Sequence, residues 1–185
     1  MTLYGPDGTT VLGTAVVAAD GTWSITPTTP LAEGVNALTV TATDPAGNEG
    51  ATTPASVTVD TTAPAAPTGV GLDAASGTGG LSKDTTPTIV GAGVAGDTIT
   101  LYGTDGTTVL GTAVVAADGT WSITPTAALA EGANNLSVKA TDPAGNQGPA
   151  TAVAITIDTT APTATLAALG ETEKTAAEAT DAGGV

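Results

Sequence analysis

The chain contains no cysteine, histidine, arginine or phenylalanine. Without cysteine there is neither a disulfide framework nor a thiolate metal site, and without histidine the commonest transition-metal ligand is missing. Nucleophilic catalysis needs a Ser, Thr or Cys beside a base. Only lysines and carboxylates remain for that role, none in a motif that pairs them with a nucleophile, so the sequence argues against an enzyme. Cationic residues are scarce: three lysines stand against 18 acidic residues, a formal charge of −15. Such a surface repels nucleic acid and anionic membranes and favours cations. No apolar run approaches the roughly 20 residues of a membrane-spanning helix, and no signal peptide is visible.

What remains is Val, Ala, Leu, Ile, Thr, Gly and Pro, with two Trp and two Tyr. Long helix-forming runs are absent before residue 170, and β-branched residues between turn formers point to many short strands. The expected class is all-β, with an aliphatic core around a single indole per unit.

The chain repeats itself. Asp60-Thr61-Thr62-Ala63-Pro64 returns as Asp158-Thr159-Thr160-Ala161-Pro162, an offset of 98 positions, and residues 2–64 match residues 100–162 at about three quarters of their positions. That period is too long for a solenoid unit and suits a β-sandwich of about 100 residues. The pentapeptide is then the joint, kept short and stiff by its β-branched threonines and by Pro64, which fixes its own φ and extends Ala63. Residues 1–60 hold no counterpart of residues 63–98, so they read as a partial unit beginning at its third strand. Residues 61–158 read as a complete unit, and residues 159–185 as the start of another, expected to be disordered because a ten-residue helical stretch there is marginal alone.

Within the complete unit, seven strands follow from alternation: A over 68–72, B over 87–91, C over 97–102, D over 108–115, E over 120–124, F around Leu136, Val138 and Ala140, and G over 152–158. Residues 73–83 read as a polar A–B loop, and Asp118-Gly119 as a two-residue hairpin joining D to E. Trp121 alternates in phase with Ile123 and is expected in the core, which leaves Tyr4 and Tyr102 as the only aromatic candidates for a sugar platform. Gly91-Ala92-Gly93-Val94-Ala95-Gly96 satisfies a dinucleotide-binding pattern, but it joins two strands where that chemistry needs a strand and a helix. Asn135-Leu136-Ser137 matches a glycosylation sequon by chance, inside a strand.

The acidic residues are placed by strand direction. The B–C, D–E and F–G turns share one pole, bringing Asp97, Asp118 and Asp142 toward Asp60. The A–B loop and C–D turn share the other, bringing Asp73, Asp84 and Asp105 toward Asp158. Asp-Gly turns account for Asp105 and Asp118. Asp60, Asp73, Asp84, Asp97, Asp142 and Asp158 are the candidate metal ligands, because converging carboxylates repel and a hard dication with six to eight oxygen ligands relieves them. Calcium is the expected ion.

"ATDPAGN" and "DTTAP", each present twice, "DTTPTI" from Asp84, and "DGTWSITP" in both units together resemble the bacterial immunoglobulin-like repeats of very large surface adhesins. The resemblance covers residues 1 to about 165. It implies an immunoglobulin-like sandwich, type I secretion, attachment to cells, host tissue or abiotic surfaces in biofilms through other parts of the protein, and calcium at the junctions. The family's acidic residues carry over to Asp60, Asp73, Asp84, Asp142 and Asp158. Relatives often place Ser-Asp in the A–B loop, whereas here Ser76 is followed by Gly77. The expected function is a structural spacer whose partners are its neighbouring repeats, at the bacterial cell surface. An accessory module of an extracellular polysaccharide-active enzyme is the alternative.

Overall fold

A computed structural model describes residues 1–163, so the expectation for residues 164–185 lies outside the described residues. Among the described residues, all regular elements are strands. In the first repeat, β1 (Thr2–Tyr4), β2 (Val11–Thr14), β3 (Gly34–Thr41) and β4 (Thr53–Val59) form one antiparallel sheet in the order β2-β1-β3-β4. The second repeat contains β5 (Thr68–Leu72), β6 (Leu81–Ser82), β7 (Ile89–Ala92), β8 (Thr98–Tyr102), β9 (Val109–Val114), β10 (Thr120–Ile123), β11 (Gly132–Thr141) and β12 (Thr151–Ile157). These make a three-stranded sheet, β10-β7-β5, facing a five-stranded sheet, β6-β12-β11-β8-β9.

The alternation read from the sequence sets the core. Ile99 and Leu101 of β8, Leu136, Val138 and Ala140 of β11 and Val153, Ile155 and Ile157 of β12 point inward from the larger sheet. Ile89, Trp121 and Ile123 meet them from the smaller one. Opposing apolar faces of this kind are the main stabilising term of a sandwich. Two sequence expectations are corrected. The 73–83 segment is not only a loop: β6 lies in it and pairs parallel with β12, tied by Thr156 N–H to the Gly80 carbonyl at 2.7 Å and Asp158 N–H to the Ser82 carbonyl at 2.9 Å. Asp118-Gly119 is a tight turn, closed by Gly119 N–H to Ala116 O at 2.9 Å, but it opens no hairpin ladder. β9 belongs to the larger sheet and β10 to the smaller, so the turn carries the chain across the sandwich.

The glycine pattern at 91–96 is explained by packing. A Cβ on Gly91 would sit 2.4 Å from Trp121 Cζ2, so the indole lies directly on the β7 backbone, and Gly96 has φ +93 in the turn into β8. The Trp121 environment is also where the repeats diverge. Trp121 is 4% exposed, whereas its counterpart Trp23 is 44% exposed, and residues 22–25, equivalent to β10, join no sheet.

Candidate functional site: the joint between the repeats

The joint follows β4 and leads into β5, and local chemistry shapes it first. The Asp60 side chain turns the chain by accepting the Thr62 N–H on Oδ1 at 3.0 Å, and Asp158 repeats this with Thr160 at 3.0 Å. From the end of the first repeat, the Glu33 carboxylate accepts the Thr61 N–H at 3.1 Å on both oxygens and the Thr61 hydroxyl at 2.7 Å. Glu131 holds Thr159 in the same way, with hydroxyl donation at 2.9 Å. These bonds lower the Glu33 pKa from its ordinary value, chiefly through the Thr61 hydroxyl.

The second repeat grips the joint from the other side. Asn146, in the β11–β12 turn, donates from Nδ2 to the Asp60 carbonyl at 2.9 Å and to Asp142 Oδ2 at 2.8 Å, while its own N–H donates to Asp142 Oδ1 at 2.8 Å. The turn also presses on the joint: a Cβ on Gly148 would lie 2.3 Å from the Pro64 carbonyl oxygen. Beside this turn, Asp97 is buried at the start of β8, and its Oδ2 has no hydrogen-bond partner. Burial raises the Asp97 pKa, and the nearby negative charge of Asp142 adds to the rise. Asp142 moves the other way, lowered mainly by the Asn146 side chain. A buried carboxylate oxygen without a donor is costly.

The structure thus gathers the Asp60 carbonyl, Asp97, Asp142 and Asn146 at one pole. Asp118 is satisfied locally, accepting the Thr120 N–H at 3.0 Å and hydroxyl at 2.7 Å. At the opposite pole every candidate is engaged in its own turn. Asp73 accepts the Ala75 N–H at 3.3 Å, Asp84 accepts the Thr86 N–H at 2.9 Å, and Asp158 accepts that of Thr160. Asp105, bonded by Thr107 and Thr108, is held well below the usual carboxylate range. No orphaned oxygen is found among these four. Gly77 explains the missing acid of the A–B loop: a Cβ there would meet the Leu81 carbonyl oxygen at 2.0 Å, so the turn into β6 excludes any side chain. Among the described residues, no three acidic side chains converge as a metal-holding group. The two poles differ in one respect: the first holds a buried carboxylate oxygen without a donor, Asp97 Oδ2, and the second holds none.

Glu33, Glu131, Asn146 and Gly148 were not singled out from the sequence. The signal for the clamp was present, since Ala-Glu-Gly recurs at 32–34 and 130–132 with the spacing of the joint itself.

An eight-strand sandwich preceded by a near-copy of its own C-terminal part defines a tandem immunoglobulin-like array. The bacterial Ig-like domain model matches residues 1–61 and 65–159, and the chain belongs to that family. No curated protein matches. Among solved structures, the chain is similar to the BSP domain of a biofilm-associated protein, with 24% identity, a TM-score of 0.38 and coverage of 87% of this chain and 25% of that one. It is also similar to a four-repeat segment from the extending region of a large adhesion protein, with 27% identity, a TM-score of 0.42 and coverage of 85% and 41%. A calcium-stabilised adhesin with which an Antarctic bacterium binds ice shows 28% identity, a TM-score of 0.36 and coverage of 89% and 41%. The chain spans well under half the length of each.

Proposed function

We propose that this chain is a spacer segment of a secreted bacterial surface adhesin, non-enzymatic, whose repeats are held in line by a joint that calcium stiffens. The observation that carries this reading is the joint. Two repeats of one family meet through five residues gripped from both sides, by Glu33 behind and Asn146 ahead. A linker meant to be loose needs no such contacts. The position of Asp97 supports the calcium part, since its unpartnered buried oxygen lies beside Asp142 and the turn that holds Asp60. Asp97, Asp142 and the Asp60 carbonyl are the groups that would hold the ion, and calcium bound there would screen the two carboxylates and tie the repeats together. Export by type I secretion and attachment through other parts of the protein belong to the same reading.

Calorimetric titration of calcium into the full chain tests it. Binding at roughly 10⁻⁴ to 10⁻³ M, the range of extracellular modules, is expected, and Asp97→Asn should abolish it. No heat, or heat unchanged by Asp97→Asn and by Asp142→Asn, contradicts the calcium joint.

A further inference from the structure

Along one side of the second repeat both sheets end in an edge strand. β9 is the last strand of the larger sheet and β10 the last of the smaller, and an open groove of about 620 Å³ lies between them. Its walls are largely apolar: Ala113 and Val114 from β9, Trp121 from β10, and Val90 and Ala92 from β7. Trp121 is buried, yet its indole N–H finds no acceptor in the repeat. A buried donor without a partner is costly, and an occupant that brings a carbonyl or hydroxyl oxygen relieves it. Val109 and Val114 stand exposed on the β9 edge.

Sheet edges are commonly guarded by a lysine, a proline or an inward-pointing charge. Neither β9 nor β10 contains one, and between Asp105 and Glu131 the only charged residue is Asp118, which its own turn satisfies. A bulge between Leu101 and Tyr102 lies at the start of β9 and leaves residues 111–114 in unbroken register with β8. On a chain of net charge −15, this flank is a nearly neutral strip. Its sequence is also held more tightly than the core. Residues 7–28 are identical to residues 105–126, exposed valines included, whereas the core residues Val153, Ile155 and Ile157 correspond to Ala55, Val57 and Val59. Exposed valines add little to the core of their own repeat, so folding alone does not require them at these positions.

We propose that this flank is a docking surface for the same flank of a second copy of the chain, β9 pairing antiparallel with β9 of the other molecule so that the two larger sheets continue through the contact. Charge selects the occupant. Two molecules this acidic repel over most of their surfaces and least along a strip almost free of charge. An edge that pairs antiparallel with itself closes on a two-fold axis and needs no second kind of surface. Spacing selects the same partner. The flank recurs at an offset of 98 residues, and β2, the counterpart of β9, is again a sheet edge. A second array offers sites at that same interval, so contacts that are weak singly add along the chain. The approach of the other copy closes the groove and brings oxygen acceptors to the Trp121 N–H. The joint lies at the pole of the repeat, and its cation plays no part in this contact.

Sedimentation equilibrium of the full chain at about 1 mM, in low salt and in about 0.5 M sodium chloride, tests this. A monomer–dimer equilibrium is expected, tighter in high salt because the repulsion between copies is screened. Val16→Asp combined with Val114→Asp should weaken it at least about tenfold. Ala37→Asp combined with Asn135→Asp adds the same charge at exposed positions of β3 and β11, away from the flank, and should leave it within about twofold of the native value. Because the chain lacks cysteine, Thr112→Cys on the β9 edge gives one thiol that a short bis-maleimide should link into a covalent dimer, whereas Asn135→Cys should remain unlinked. Four results overturn the proposal: a chain that stays monomeric in both salts, a dimer indifferent to the paired valine substitutions, a dimer weakened equally by the charge-matched pair, or equal cross-linking of the two cysteine variants.

Discussion

Trp121 and Trp23 form an internal control, one side chain type in one sequence context with and without a covering sheet. Trp121→Ala should cost about 3–5 kcal/mol in denaturant unfolding of the second repeat, as for an aromatic removed from a core. Trp23→Ala, at a half-exposed site, should cost less than about 2 kcal/mol. Equal costs would place both indoles in the same environment. Asp97 behaves differently because its charge is the liability. Its folded pKa lies above the ordinary 3.8, so the folded protein binds the proton more tightly than the unfolded chain does. In the absence of a cation, Asp97 therefore makes stability fall as pH rises from about the ordinary value through the raised one. Asp97→Asn should remove that fall and stabilise the metal-free protein at neutral pH, read as a higher melting temperature in chelator. Asp142, with a lowered pKa, acts in the opposite sense, contributing stability above the ordinary value that is lost on acidification below it. A lower melting temperature for Asp97→Asn in chelator would contradict the orphaned charge.

At the level of elements, strands were legible wherever one face is core and the other water. Leu136, Val138 and Ala140 announce β11, and Val153, Ile155 and Ile157 announce β12, because period-two alternation is the direct trace of a half-buried sheet. β6 carried no such trace. Leu81 and Ser82 are too few to alternate, and their pairing is imposed by the distant carbonyl and N–H groups of β12. Alternation also says which face a residue takes but not which strand lies beside it, which is why the turn at Asp118 suggested a hairpin between strands of different sheets. The candidate site was half legible for a related reason. Strand direction put Asp97, Asp142 and Asp60 at one pole, whereas the Glu33 clamp spans 28 residues and depends on how the chain returns. Glu33→Ala should therefore speed hydrogen exchange at the Thr61 amide and leave β3 unchanged. Gly148→Ala should displace Pro64, seen as chemical-shift changes confined to the joint and the β11–β12 turn. Amide protection should also differ between the repeats, with β3 and β4 exchanging faster than β11 and β12, because only the latter are covered by a second sheet.

For the whole molecule, the 14 acidic residues of residues 1–163 set a field that cations relieve, and under the proposed reading the joint is where that relief has mechanical consequence. The fold of the second repeat rests on its aliphatic core, so chelation should leave its β circular dichroism intact. Orientation of one repeat against the next rests on far less: the Glu33 clamp, the Asn146 bridge and the charges of Asp97 and Asp142. Repulsion between those carboxylates without a cation favours many orientations, and a bound dication favours one. Small-angle X-ray scattering of the full chain, in millimolar calcium and in chelator, measures that difference directly. A longer maximum dimension with a narrower distribution in calcium, abolished by Asp97→Asn, is the expected result; a scattering profile that calcium leaves unchanged would contradict the stiffened joint.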